Sequence, residues 1–198
     1  MQESFFTFQL PTKVIFGRGA LENLGAEISE RGWKSALIVT DRGIREAGLL
    51  ERVELVLQSY GIEYAVYDGV QPNPTVRMIE EALPEALESE GLIGLGGGSS
   101  LDTAKALNII KSHGGGVLDW EGNETVPGPC SPLIAIPTTA GTGSEVTFIA
   151  QITVPERQQK VPIISRYLAP DLAIVDPELT RSLPPKLTAA TGMDALTH

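Results

Sequence analysis

The sequence predicts an α/β fold in which a mostly parallel sheet carries helices on both faces. Three observations predict it. Runs that are apolar throughout, Ala36 to Val39, Leu92 to Leu95 with its one glycine, and Leu133 to Ile136, suit strands buried on both sides, as parallel strands are. Between them lie segments whose apolar residues recur at helical spacing, so strand and helix alternate along the chain. Two of the runs end at once in glycine-bearing loops, Gly96-Gly97-Gly98-Ser99-Ser100 and Pro137 to Glu145. Strand ends are where open sheets of this Rossmann-like kind bind ligands.

In chain order, Phe6, Phe8 and Leu10 alternate and Val14 to Phe16 follows Pro11, which predicts two early strands able to pair within the chain or with a second subunit. Leu21, Leu24 and Ile28 form a short helical stripe before the strand Ala36 to Val39 and then Asp41. Leu49, Leu50, Val53, Val56 and Leu57 make the next helix face. A strand near Tyr64 to Tyr67 leads through Pro72-Asn73-Pro74 into a helix capped by Thr75 and carrying Val76, Ile79, Leu83 and Leu87, which Pro84 should kink or shorten. The strand Leu92 to Leu95 opens through the first glycine loop into an amphipathic helix with Leu101, Ala104, Leu107 and Ile110 on its apolar face. A long loop, His113 to Pro132, precedes Leu133 to Ile136, and strand-like pieces follow near Thr147 to Val154, Val161 to Ile164 and Leu172 to Val175. From Ser182 the composition changes, and Pro184-Pro185 suits the first turn of a new helix. That helix meets His198 with no capping signal, which gives the expectation of a truncated chain: an α/β domain over 1–181 and the start of a second, helical domain over 182–198.

Composition limits the partners. With 198 residues, 42% of them hydrophobic, the chain can bury a substantial core. The formal charge of −10, from 15 basic and 25 acidic residues, argues against a nucleic-acid backbone or an anionic membrane as partner. A single Cys130 and an opening that lacks the pattern of a secretion signal predict a cytoplasmic protein.

The first glycine loop carries the functional expectation. Gly96, Gly97 and Gly98 leave backbone amides open to an anion, and Ser99 and Ser100 add hydroxyls and can cap the helix start. The usual dinucleotide fingerprint is imperfect, because Gly94-x-Gly96-x-x-Ser99 lacks its third glycine, and no Walker lysine loop occurs. Asp41, at the end of a strand, can accept hydrogen bonds from ribose hydroxyls and repel a 2′-phosphate, favouring NAD over NADP; its plainer role is a helix cap. Asp194 and His198, four apart on one helical face, are half of a divalent-metal site, since a catalytic metal needs three or more protein ligands.

Taken together, Asp68 to Thr75, Gly96 to Lys105, Ile136 to Val146, Ala173 to Leu179 and Ala189 to His198 resemble the iron-containing, or group III, alcohol dehydrogenases. The resemblance runs almost end to end. It implies the first, nucleotide-binding half of a dehydroquinate synthase-like architecture whose second half is helical, with NAD(P) and a divalent metal between the halves. It also implies site residues. Asp41 resembles the adenosine-ribose ligand and Gly97, Gly98 and Ser99 the pyrophosphate loop, while Asn73, Thr138, Thr139, Thr147, Lys160 and Leu179 resemble cofactor contacts and Asp102 stands near the nicotinamide. Asp194 and His198 resemble the first two of four ligands to Fe2+ or Zn2+, and Ser100 replaces a common proline.

The implied reaction is reversible hydride transfer between a small alcohol and the nicotinamide, with the metal acting as a Lewis acid. The catalytic contribution of Asp194 and His198 would run through that metal. The chain alone is expected to be inactive. Two other readings remain: a non-catalytic dinucleotide-binding fragment, and an enzyme of the glycerol dehydrogenase or dehydroquinate synthase type. A homodimer paired through the N-terminal strands is a further expectation.

Overall fold

The computed structural model describes residues 10–197. Its elements in chain order are β1 (Lys13–Phe16), α1 (Leu24–Glu30), β2 (Ser35–Asp41), α2 (Arg42–Glu46), α3 (Leu49–Ser59), β3 (Glu63–Val70), α4 (Val76–Glu88), β4 (Gly91–Gly96), α5 (Gly98–His113), β5 (Gly122–Asn123), β6 (Leu133–Pro137), β7 (Ile149–Val154), β8 (Gln159–Ile164), β9 (Leu172–Val175) and α6 (Pro185–Thr197), with short 3-10 turns between several of them. Phe6 and Phe8, read as an opening strand, lie outside the described residues, as does His198.

Six strands form one sheet in the order β1-β9-β6-β4-β2-β3, and every pairing in it is parallel. Alternation within each strand divides the core into two layers. Leu37, Val39, Leu92 and Leu133 face α4, α5 and the β7–β8 hairpin, while Ala36, Ile38, Ile93, Leu95, Ile134 and Ile136 face α1 and α3. The strand order turns back on itself at β2 and β4, whose following helices lie on opposite faces. That divergence opens a crevice at the C-terminal edge of the sheet, where ligands of such sheets bind.

Several details differ from the sequence expectations. The strand-like pieces over 147–164 do not join the main sheet. β7 and β8 form an antiparallel hairpin that, with β5 from the supposed loop, makes a separate three-stranded sheet against α5. The helix read as amphipathic, α5, is buried on almost every side from Ser100 to Ile110, because the sheet covers one flank and α4 and the hairpin cover the rest. Helix α4 is not shortened by Pro84: the residue is exposed, as is Glu80, the residue whose carbonyl forfeits a hydrogen bond to the proline. Its buried face is Ile79, Ala82 and Ala86, and Leu87 is 59% exposed. Thr75 holds the N-cap position without a side-chain cap bond. Helix α6 begins at Pro185, as expected from its prolines, and none of its described residues is buried.

Candidate functional site: a glycine-floored cleft at the strand ends

The first glycine loop is shaped by close approach. A Cβ on Gly94 would stand 3.0 Å from Leu101 Cδ2 and 3.1 Å from Ala104, so α5 can rest directly on β4 only because that side chain is missing. Gly96 has a φ of 142°, and a Cβ there would stand 2.6 Å from Ser100 Oγ. Gly97 caps the helix: its carbonyl accepts from the amides of Ser100 and Leu101 at 3.0 and 3.2 Å. Ser99 and Ser100 are therefore inside the first turn and do not cap it, contrary to the sequence reading, because the helix starts earlier, at Gly98. The first amides of this 16-residue helix have no intrahelical acceptor, and the aligned peptide dipoles place partial positive charge at the same point.

The second glycine loop closes over the first. Thr138 is buried and its amide donates to the Gly96 carbonyl at 3.0 Å, while Thr139 and Thr142 lie 3.5 and 3.2 Å from where side chains on Gly97 and Gly98 would project. Together the loops floor a cleft of about 950 Å³ lined by Asp41, Gly97, Ser99, Thr138, Thr139 and Leu179. Asp41 fills the plainer of the two roles considered for it. Its Oδ1 accepts from the Ile44 amide at 3.1 Å, capping α2, and its Oδ2 lies 3.5 Å from Ser100 Oγ at the cleft wall.

A second cluster lies behind this floor, between α5 and the hairpin, and its centre was not singled out from sequence. Lys105 is 1% exposed, and its ammonium donates to Ser144 Oγ, Thr147 Oγ1 and the Ile149 carbonyl at 3.2, 3.1 and 3.0 Å. Ser144 donates to Asp102 Oδ1 at 2.7 Å, and the Gln151 amide donates to Asp102 Oδ2 at 3.1 Å. Burial brings Lys105 down to about 8 against the pull of Asp102, and burial likewise pushes the Asp102 carboxyl up against its hydrogen bonds and Lys105. Only the period of a lysine on the apolar side of a helical stripe pointed to it, and that signal was hidden by reading α5 as half-exposed.

Of the remaining residues singled out, Lys160 is exposed on β8 opposite Thr153, and its charge reaches Asp102. Asn73 is exposed, with a left-handed φ of 61°, and the neighbouring Pro74 carbonyl accepts from the Thr153 amide at 2.7 Å. Asn73, Thr147 and Lys160 thus belong to the hairpin side and are not among the residues lining the cleft.

Asp194 lies over the second loop: a Cβ on Gly141 would stand 2.9 Å from its Oδ2 and 2.7 Å from the Thr191 carbonyl. Its expected partner His198 lies outside the described residues, and His113 is occupied elsewhere, against the Gly128 carbonyl at 3.2 Å. Among the described residues no three His, Cys, Asp or Glu side chains come together to hold a metal ion, and no helix is long and apolar enough to cross a membrane.

The family profile described as iron-containing alcohol dehydrogenase matches residues 11–177. The chain belongs to the iron-containing alcohol dehydrogenases. It is 45% identical to the choline dehydrogenase of Bacillus subtilis (strain 168) over 99% of this chain and 50% of that one, and 42% identical to the NAD-dependent methanol dehydrogenase of Bacillus methanolicus over 96% and 51%. The crystal structure of a 1,3-propanediol oxidoreductase superposes with a TM-score of 0.94 at 38% identity, covering 98% of this chain and 52% of that one. The chain therefore spans about half the length of the relatives it matches. The family membership and the α/β fold expected from the sequence are both upheld.

Proposed function

We propose that this chain is the cofactor-binding half of an NAD-dependent, metal-containing alcohol dehydrogenase, with residues 1–181 as the nucleotide-binding domain and 182–198 as the beginning of a helical, metal-binding part. The observation that carries the reading is the cleft itself. Its volume of about 950 Å³ suits a dinucleotide, and the missing side chain at Gly97, which lines it beside Ser99, favours close approach of a pyrophosphate to the amides of Gly97, Gly98 and Ser99. Asp41, through the Oδ2 that faces Ser100, would accept from the adenosine ribose, and Thr138, Thr139 and Leu179 would wall the remaining length. On the hairpin side, Asp102, Thr147, Lys160 and Asn73 would border the nicotinamide end.

Bound there, the nicotinamide would accept a hydride from a small alcohol, or return it to an aldehyde or ketone. This chain's own residues bind and orient the coenzyme. The buried Lys105 holds Thr147 and the start of the hairpin in place. The metal is a different matter. One carboxylate, Asp194, is not a metal centre, so the described residues do not complete a site for iron or zinc. Asp194 and His198 are proposed as two of its ligands.

Fluorescence or calorimetric titration tests the reading. NADH is expected to saturate the chain at micromolar to sub-millimolar levels with NADPH weaker, and no heat or fluorescence change at millimolar NADH would overturn it. Metal-dependent oxidation of a short alcohol by these 198 residues alone would show that they also suffice for turnover.

A further inference from the structure

We propose that Asp68 is a specificity-determining residue of the cleft, excluding a 2′-phosphorylated dinucleotide by sequestering Arg45 in an ion pair. The inference rests on the dinucleotide reading above and deepens it. Asp41 ends β2 in register with Gly69 and Val70 of β3, so Asp68 stands directly beside the strand end that presents the proposed ribose ligand. Arg45 lies four residues after Asp41, one turn along α2, and its Nε donates to Asp68 Oδ2 at 2.6 Å.

Asp68 lines the cleft together with Asp41, Glu46 and Glu81, and among the described residues one cation, Arg42, lines it as well. The described lining of the cleft is thus richer in carboxylates than in cations. A phosphate on the ribose would carry a charge near −2 and require a guanidinium fork to receive it. The arginine one turn from Asp41 has the right chemistry, but its Nε is held on Asp68, and Arg45 is not among the residues that line the cleft. Exclusion would then have two parts: repulsion from Asp41, and denial by Asp68, whose own charge is compensated in the pair, of the cation that a 2′-phosphate needs. The pair is half-exposed, with 50% and 32% of the two side chains accessible, so the effect should be modest and should shrink with salt.

The experiment compares NADH and NADPH dissociation constants for the full chain and three variants. Asp41→Asn removes one charge while keeping an N-cap acceptor. Adding Asp68→Asn is expected to improve NADPH relative to NADH by a further factor of about five at low salt, as for release of an exposed ion pair. Adding Arg45→Ala to that double variant should erase the gain. An unchanged ratio on adding Asp68→Asn, with NADH still bound, overturns this proposal alone. A gain that survives Arg45→Ala overturns it too, by assigning selectivity to repulsion or to Arg42. Failure of the unaltered chain to bind NADH overturns the dinucleotide reading, and this inference with it.

Discussion

The two glycine-bearing loops stand side by side at the same sheet edge and are held by different means. The first, Gly96 to Ser99, is held by backbone: it runs from a central strand into a long buried helix, and its shape depends on atoms that are absent at Gly94 and Gly96. The second, Thr138 to Glu145, leaves β6 with no helix to follow; beyond the Thr138 amide bond to Gly96 at its start, it is held by side chains, through Ser144, Asp102 and Lys105. The difference teaches where each loop is vulnerable. A backbone-held loop fails when a Cβ is added, and a side-chain-held loop fails when its buried anchor is removed.

The anchor gives the largest expected effect. Lys105→Met deletes three hydrogen bonds and leaves the Asp102 carboxylate buried without its cation, which should cost about 3–5 kcal/mol in denaturant unfolding. Adding Asp102→Asn should cost much less than a second independent loss, because the two groups act as one unit. The same lysine gives a pH signature. Its folded value of about 8 lies below the ordinary 10.5, so across that window the unfolded chain binds more protons, and stability from this group rises with pH. Lys105→Met should abolish that rise. Additive losses, or equal pH slopes in the two proteins, would show that Lys105 is not the anchor of the second loop.

The backbone-held loop should be broken by one methyl group. Gly96→Ala puts a side chain at a φ of 142° and drives it to within 2.6 Å of Ser100 Oγ, at a cost of about 2 kcal/mol in stability. The displaced loop should also lower NADH affinity by more than tenfold, measured by the same titration. Normal affinity in Gly96→Ala would mean that the floor of the cleft does not depend on the conformation argued for it.

The same contrast explains what was legible in the sequence. Backbone-held features were readable, because glycine at a strand-to-helix junction and period-2 or period-3.6 apolar runs are local signals; the six parallel strands, α5 and the first loop follow from them. Features decided by tertiary covering were not. Nothing local says that the hairpin and α4 would bury Lys105, or that Ala82 and Ala86 rather than Leu87 would face the sheet. Ser99 and Ser100 misled for a related reason: a serine cap and a serine in the first turn differ by one or two residues of register, which the glycines decide. Resemblance located Thr147, Lys160 and Asn73 by position. It did not reveal that they gather around the hairpin, apart from the residues that line the cleft.

Lys160 gives the smallest effect on stability, and it separates anchoring from binding. It is exposed at the hairpin, opposite Thr153, where its charge reaches Asp102 but ranks last among the influences on that carboxyl. Truncating an exposed strand lysine should change stability by no more than about 0.5 kcal/mol. If the hairpin borders the bound coenzyme, Lys160→Ala should nevertheless weaken NADH by roughly threefold to tenfold at low salt, with the loss shrinking as ionic strength rises. Lys105→Met should show the opposite profile, a large loss of stability that drags affinity down with it. An Lys160→Ala protein with unaltered NADH affinity would remove the hairpin from the coenzyme's surroundings and leave Lys105 a purely structural anchor.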